Sequence, residues 1–76
     1  MTDVFFPKMT EDGAENGVLA TWYVADGEQV KAAQLLAEVA LDKVDAEVLA
    51  PVAGVVRLVV EEGAELAQGS LIARLE

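Results

Sequence analysis

The chain contains no cysteine and no histidine. Without cysteine it can build neither a disulfide framework nor a thiolate metal site, which is compatible with a reducing compartment. Without histidine it lacks the commonest general base and the commonest metal ligand. Its single serine, Ser70, has no histidine to activate it as a nucleophile. These absences predict that the domain does not carry out nucleophilic catalysis on its own.

Basic residues are scarce as well. Five lysines and arginines stand against 14 aspartates and glutamates, so the formal net charge is −9 at pH 7. A surface of this sign repels nucleic acid and anionic membranes, and basic protein surfaces are its natural complement. No apolar run approaches the length of a membrane span, and the N-terminus has no basic targeting pattern. We therefore expect binding to neither nucleic acid nor membrane, and either a cytoplasmic protein or a piece of a larger chain.

The length predicts one domain, residues 1–76, and an internal repeat lies within it. Gly27 aligns with Gly63 at an offset of 36 residues (63 − 27 = 36), and apolar residues follow at the same offset. The apolar pairs are Val30 with Leu66, Leu35 with Leu71, Leu36 with Ile72, and Val39 with Leu75. The β-rich runs 18–24 and 54–60 are aligned at that offset too. Each half is predicted to contain a strand, a glycine turn, a short strand and a further strand.

Neither half can bury its apolar face on its own. We therefore predict an all-β fold in which two small antiparallel sheets pack around a shared core and are related by a pseudo-twofold axis. The window 30–41 is rich in residues that favour helix, but its repeat contains Gly69, which disfavours a helix. A first strand is expected near residues 4–6, an acidic surface loop over 11–17, and the end of a strand at Pro51.

A tight hairpin is predicted over residues 39–48. Its apolar residues occupy odd positions before the centre and even positions after it: Leu35, Ala37, Val39, Leu41, then Val44, Ala46, Val48, Ala50. Because side chains alternate between the faces of a strand, a two-residue loop of Asp42-Lys43 requires this change of phase. The paired residues would be Leu41 with Val44, Val39 with Ala46, and Ala37 with Val48. A type I turn would accept Asp-Lys with little strain.

Lys43 would lie at the tip of this hairpin, surrounded by carboxylates. In the derived register Glu38 lies across from Glu47 on the outer face, and Asp42 and Asp45 are close to the lysine. A lone turn lysine is most often a solubilising charge, although this position also offers one amine to solvent at a fixed point. The carboxylates allow two interpretations: they steer basic docking surfaces towards the tip, or they form a solvated face of an acidic domain.

The order and spacing of these features resemble those of lipoyl domains in the biotinyl/lipoyl carrier family, as found in 2-oxo acid dehydrogenase complexes. The resemblance covers essentially the whole chain. It is carried by residues 17–24, the turn 26–30, the Asp42-Lys43-Val44 tip, Glu47-Val48 with residues 50–55, and the Gly63 and Gly69 turns. The fold it implies is a barrel-sandwich hybrid, a flattened β-barrel or sandwich of two small antiparallel sheets.

The resemblance implies that Lys43 is the amine acylated by lipoate, or by octanoate before sulfur insertion. The domain would be a non-catalytic carrier whose swinging arm shuttles acyl groups and electrons within a 2-oxo acid dehydrogenase complex. The implied partners are a thiamin-dependent 2-oxo acid decarboxylase, an acyltransferase core, a flavin-containing dihydrolipoyl dehydrogenase and a lipoate ligase. A carrier that visits several sites is expected to be monomeric. The residues expected to be recognised around the tip are Asp42, Val44, Glu38, Asp45 and Glu47.

The chain departs from the usual lipoyl pattern at Ala40 and Leu41, where an acidic and a small hydroxyl residue are common. It departs again at Ala33-Gln34, where a glycine is common. Biotin carriers usually flank their lysine with methionines, whereas this chain has Asp42 and Val44. The alternatives to a lipoyl carrier are a biotin carrier of a carboxylase, modified on the same lysine, and an unmodified interaction module of the same fold.

Overall fold

The computed structural model describes residues 1–11 and 13–76, which form eight β-strands and no helix. The strands are β1 (Thr2–Phe5), β2 (Asn16–Trp22), β3 (Gln29–Val30), β4 (Leu35–Leu41), β5 (Val44–Leu49), β6 (Gly54–Leu58), β7 (Glu65–Ala67) and β8 (Leu71–Leu75). The all-β prediction is confirmed, including strand in place of helix within residues 30–41. No helix that could span a membrane occurs in this described part of the chain.

The strands form two antiparallel sheets of four strands each. Their orders are β1-β8-β6-β3 and β5-β4-β2-β7. Exchanging β1, β2, β3 and β4 with β5, β6, β7 and β8 converts one order into the other, which confirms the predicted pseudo-twofold relation. The two sheets form a flattened sandwich rather than a closed barrel.

The two glycine turns of the repeat have the same backbone conformation. Gly27 and Gly63 have φ angles of 87° and 88°, a region that glycine enters without steric penalty. The amide of Gly27 donates to the carbonyl of Val56, and the amide of Gly63 donates to that of Leu19, both at 2.7 Å. Each turn is therefore joined to the neighbouring half of the molecule by an equivalent hydrogen bond.

A bulge in β2 changes the repeat offset upstream of these turns. The pairing of β2 with β4 shifts between Leu19 and Thr21, so Ala20 is an extra residue. Before Ala20 the structural offset is therefore 37 residues, and Gly17 corresponds to Gly54 (54 − 17 = 37). The prediction of a single offset of 36 over the whole upstream run is wrong for this reason.

The core lies between the two sheets and draws on both halves of the repeat. Its largest fully buried side chains are Phe6, Leu19, Leu36, Ile72, Leu75, Val30, Val39 and Val56. Burying a side chain of this size contributes about 1.5–3 kcal/mol. None of the described polar or charged side chains is buried. Apolar packing and the backbone hydrogen bonds of the sheets therefore hold the fold together.

β4 and β5 pair in the predicted register. The opposed residues include Leu41 with Val44, Val39 with Ala46, and Ala37 with Val48. Three predicted core positions are not fully buried: Val44, Leu35 and Ala46, of which Ala46 is half-buried and packs against the core. Val44 is 56% exposed because it lies beyond the end of the core, and Leu35 is only half-buried because the pairing shifts between Leu35 and Ala37. The shift allows both Leu36 and Ala37 to be buried.

Two element boundaries were predicted from turn-forming residues. β2 begins at Asn16, so the surface loop predicted over 11–17 is two residues too long. Asp12, within that loop, lies outside the described residues. β5 ends at Leu49, two residues before Pro51, which confirms that the strand stops at this proline.

Candidate functional site

Asp42 and Lys43 form the turn between β4 and β5. Asp42 has a φ of 53°, whereas Lys43 is not among the residues with positive φ. A type I turn has negative φ at both central residues, so the expectation of a type I turn is wrong. Aspartate tolerates the left-handed region better than most residues, which gives Asp42 a structural reason to precede the lysine.

Lys43 is exposed at the end of the hairpin. Leu41, directly before the turn, is only 4% exposed and so anchors the hairpin to the body of the domain. The ion pairs that join described residues lie on the opposite sheet and do not involve Lys43. Its amine therefore extends into solvent from a fixed point, without an ion-pair partner among these residues.

Glu38 and Glu47 lie directly opposite each other on the hairpin, as predicted. The hydroxyl of Tyr23 donates to Glu38 Oε1 at 3.3 Å. The negative charge of Glu38 is the largest cause that raises the pKa of Tyr23 above its ordinary value of 10.0, followed by lost hydration, the hydrogen bond and the charge of Glu47. The neutral phenol thus supplies a donor to Glu38, one of two opposed carboxylates that repel each other.

The five predicted recognition residues form two groups. Asp42, Val44 and Asp45 are exposed around the turn, next to the lysine. Glu38 lies four residues before Asp42 and Glu47 four residues after Lys43, about 13 Å from the turn at the usual rise of a β-strand. The structure therefore brings the first three residues together with the lysine and places the glutamate pair on the side of the hairpin.

The backbone behind the hairpin is closely packed. A Cβ atom on Gly17 would overlap the ring of Phe6 and would lie 2.8 Å from the carbonyl oxygen of Ala40. Only a glycine lets β2 approach both groups at this distance. Leu41, where a small hydroxyl residue was expected, is buried next to Ala40. This departure from the lipoyl pattern therefore adds an apolar anchor at the base of the turn.

Sequence reasoning missed two residues near the site, Tyr23 and Gln68. The contact of Tyr23 depends on the pairing of β2 with β4, which no short turn specifies. Gln68 follows β7, and its Oε1 accepts a hydrogen bond from the amide of Met9 at 2.6 Å. Gln68 and Met9 are 59 positions apart, so no local motif could have revealed their contact.

The chemistry available at the hairpin is that of an exposed primary amine. Such an amine can accept an acyl group from an activated carboxylate, and the resulting amide would extend from a flexible four-carbon stem. The described residues contain no group of three or more acidic side chains placed to hold a metal ion. The arrangement thus suits a group that another enzyme attaches covalently to Lys43.

Comparison with known proteins yields relatives of one kind. The chain matches the family described as "Biotin-requiring enzyme" over residues 2–75. It is 39% identical over 75 residues to the dihydrolipoyllysine-residue acetyltransferase component of the pyruvate dehydrogenase complex of Corynebacterium glutamicum, covering 97% of this chain and 11% of that protein. It is 38% identical over 74 residues to the succinyltransferase component of the 2-oxoglutarate dehydrogenase complex of Azotobacter vinelandii, covering 96% and 18%.

A relative from a branched-chain α-keto acid dehydrogenase complex and a solved structure agree with these matches. The lipoamide acyltransferase component of the branched-chain α-keto acid dehydrogenase complex of Bacillus subtilis is 39% identical over 71 residues, covering 92% of this chain and 16% of that protein. The chain thus spans a small part of each relative's length. The solution structure of the lipoyl domain of the Azotobacter vinelandii 2-oxoglutarate dehydrogenase complex superimposes with a TM-score of 0.81 at 35% identity, covering 100% of this chain and 96% of that one. The chain therefore belongs to the biotinyl/lipoyl carrier family, as a non-catalytic lipoyl domain of the kind found in the acyltransferase components of 2-oxo acid dehydrogenase complexes.

Proposed function

We propose that Lys43 is the residue that carries the lipoyl group, and that the domain serves as a swinging-arm carrier within a 2-oxo acid dehydrogenase complex. The observation that supports this most is the position of Lys43 at the tip of a tight hairpin, exposed and without an ion pair among the described residues. The two other lysines, Lys8 and Lys31, lie outside this hairpin.

The residues around Lys43 suit a covalently attached arm. When attached, lipoate would supply the disulfide and dithiol chemistry that takes up acyl groups and electrons. The protein contributes position: Leu41 anchors the hairpin in the core, and the Asp42 turn directs the amine away from the sheet. A tethered group reaches its partners at an effective concentration that can be in the mM range, so free diffusion is avoided.

The partners of the domain follow from the same proposal. Components that load, unload and reoxidise such an arm would be a thiamin-dependent 2-oxo acid decarboxylase, an acyltransferase core and a flavin-containing dihydrolipoyl dehydrogenase. A lipoate ligase would attach the group. The exposed carboxylates Asp42 and Asp45 favour basic surfaces on these partners. A cytoplasmic location and a monomeric state are further parts of the proposal.

A test of this proposal is the intact mass of the chain after incubation with a lipoate ligase, lipoate and ATP. The parent chain should gain one lipoyl group, and Lys43→Arg should gain none. Lys31→Arg is the matched control, because it removes a different exposed lysine, and it should be modified like the parent. Circular dichroism of all three chains checks that each is folded.

The same experiment distinguishes the alternatives. A parallel incubation with a biotin ligase, followed by avidin binding, detects the biotin carrier, although Asp42 and Val44 replace the methionines usual beside a biotinylated lysine. A folded parent chain that neither ligase modifies would contradict the carrier proposal. That result would favour the unmodified interaction module, for which Ala40 and Leu41 are the supporting departures.

A further inference from the structure

Four strands of the described chain lie at the edges of the two sheets: β1, β3, β5 and β7. An edge strand has a row of unpaired backbone N–H and C=O groups to which a strand of another molecule can bind, and very short edge strands limit this binding. β3 has two residues, β7 has three and β1 has four. β5 has six residues and is paired with β4 alone. It is therefore the edge that offers another strand the most backbone groups.

Alternate residues of β5 direct their backbone groups away from β4. The pair that flanks a two-residue turn, here Leu41 with Val44, exchanges both backbone hydrogen bonds. Bonded positions then recur at every second residue as far as Ala50, whose amide donates to the carbonyl oxygen of Gln34 at 2.9 Å. The residues between these positions, which have their N–H and C=O groups on the open side of the strand, are Asp45, Glu47 and Leu49.

This open side is complementary to a second copy of itself. In an antiparallel arrangement with Glu47 opposite Glu47, Asp45 lies opposite Leu49, and all three residues of each copy can exchange backbone hydrogen bonds. Opposed residues share a face, so the two cores would lie on the same side and the two four-stranded sheets would continue as one. Val44 and Leu49, which are 56% and 49% exposed, would be partly covered by the second copy. The result is a two-fold interface, in which the same residues serve both copies.

The charges in one row oppose this pairing. Glu38 of β4 lies directly opposite Glu47, and the hydroxyl of Tyr23 donates to Glu38 at 3.3 Å. When two β5 edges meet, Glu47 would lie opposite the second Glu47, and four carboxylates would form one row across the joined sheets. Like charges that are directly opposed are destabilising. The Glu38–Glu47 pair adds no stability to the single domain, so its place on the longest edge gives a reason for its presence.

The equivalent edge of the other sheet is arranged differently. Asp3 of β1 lies opposite Arg74, and the two side chains form an ion pair at 3.5 Å. A second Asp3 beside this row would meet balanced charge. The length of β1, four residues, is what limits pairing there. One edge is thus protected by its length and the other, β5, by like charges.

We propose that the β5 edge is an interaction surface for a second copy of this chain, and that Glu38 and Glu47 keep this surface closed in the parent domain. Copies tethered in one complex would meet at effective concentrations that can reach the mM range, where an open edge would join them. A closed edge leaves each carrier free to visit separate sites. This benefit rests on the proposed function, whereas the edge pairing and its test require no modification of Lys43.

Sedimentation velocity tests the proposal over a dilution series that reaches the mM range. The parent is compared with Glu38→Gln/Glu47→Gln, which keeps the side-chain shapes and removes both charges. The matched control is Glu11→Gln/Glu61→Gln, which removes two charges from exposed residues outside the strands. Circular dichroism checks that each chain is folded. The second readout is amide hydrogen exchange along β5 at low and at high protein concentration.

The parent and the control are expected to remain monomeric over the whole series. Glu38→Gln/Glu47→Gln should form a dimer, with a dissociation constant at least about tenfold below the lower limit set by the parent, because the opposed charges are gone. In that dimer the amides of residues 45, 47 and 49 should exchange more slowly as the concentration rises. The amides of Ala46 and Val48 are already bonded to β4 and should be slow at every concentration.

Four results would overturn the inference. A Glu38→Gln/Glu47→Gln chain that stays monomeric would show that the edge does not bind a second copy. A parent that dimerises as strongly as this variant would show that the two glutamates do not close the edge. Dimerisation of the control would assign the effect to total charge. A dimer whose amides at residues 45, 47 and 49 stay unprotected would assign the association to another surface. Lipoylation enters neither readout, so a failure of Lys43 as the attachment site is recorded separately.

Discussion

The two halves of the domain share one backbone plan and differ at their ends. At one end β4 turns through Asp42 and Lys43 into β5. At the symmetry-related end β8 and β1 pair in the same way, with Leu75 opposite Thr2, but no turn joins them. The connection from β1 to β2, which is longer than that from β5 to β6 and is hydrogen-bonded by Gln68, is also at the lysine end. The repeat therefore supplies the sandwich, and the residues that break the repeat surround the lysine.

The outer faces of the two sheets also differ, in charge. Across β5, β4 and β2 the neighbouring residues are Glu47, Glu38 and Thr21. The equivalent row across β1, β8 and β6 is Asp3, Arg74 and Arg57. On that second face Arg74 pairs with Asp3 at 3.5 Å, and Arg57 pairs with Glu76 at 3.0 Å. Charge is balanced there and negative beside the hairpin, so a basic partner would be drawn to the lysine-bearing sheet.

The largest expected change in the free energy of unfolding comes from Phe6, whose equivalent in the other half is the much smaller Ala50. Phe6 is 1% exposed, whereas its neighbour Phe5 is 52% exposed. Phe6→Ala should lower the free energy of unfolding by about 3–5 kcal/mol, because it leaves a cavity behind the hairpin. Phe5→Ala is the matched control and should change stability little. Urea unfolding measures both, and a similar small loss in the two variants would show that Phe6 does not fill the core behind the hairpin.

The next largest effect should come from the equivalent glycines Gly17 and Gly54. A Cβ on Gly17 would meet a core ring and a backbone oxygen, while one on Gly54 would lie 2.6 Å from the carbonyl oxygen of Glu76. Gly17→Ala should therefore destabilise the domain by about 2–3 kcal/mol. Gly54→Ala should cost less, because its Cβ would overlap one carbonyl group and no buried aromatic ring. Urea midpoints that place Gly54→Ala below Gly17→Ala would contradict this order.

A smaller, purely conformational difference is expected at the equivalent positions Gly69 and Ala33. Both have positive φ, 85° and 68°, but only one is a glycine. An added Cβ on Gly69 would meet nothing within 4 Å, so Gly69→Ala should cost only about 1 kcal/mol of backbone strain. Ala33→Gly should be neutral or slightly stabilising, since relief of strain offsets the flexibility gained by the unfolded chain. Thermal unfolding checks both signs, and a clear loss in Ala33→Gly would show that its backbone is not strained.

The smallest effect concerns the charge difference between the two faces. Tyr23 is the single tyrosine, so its phenol can be titrated by ultraviolet absorbance without interference. Glu38→Gln removes the largest cause of its raised pKa, which should fall towards 10.0, whereas Glu65→Gln should leave it unchanged. Because the folded pKa is the higher one, the stabilisation from the bound proton is lost as pH rises through it. An identical titration in the parent and in Glu38→Gln would show that the charge of Glu38 does not raise the pKa of Tyr23.

The hairpin was predictable because a strand alternates with period two and a two-residue loop permits one register. The pairs Leu41–Val44 and Val39–Ala46 follow from that rule alone. The bulge at Ala20 was not predictable, because an extra residue leaves no mark when its neighbours are also apolar or small. The left-handed turn at Asp42 was missed because Asp-Lys is uncommon in primed turns.

Contacts between distant parts of the chain account for what was missed at the site. Gln68 reaches Met9 and Glu15 because two turns meet at the hairpin end, and neither turn has a sequence signal that names the other. Asp42, Lys43 and Asp45 were predictable as exposed, since a loop tip is polar and lies outside the core. The distance of Glu38 and Glu47 from the tip was not predictable. It depends on the length of the strands, which is set by where the core ends.

The most direct test of the account is to locate the modification within the chain. After lipoylation of the parent, cleavage at glutamates places Lys8, Lys31 and Lys43 on different peptides, whose masses can be read separately. If Lys43 is the attachment site, the Lys43 peptide carries one lipoyl group and the peptides with Lys8 and Lys31 carry none. A lipoyl group on either of those two, or an unmodified Lys43 in the folded chain, would contradict it.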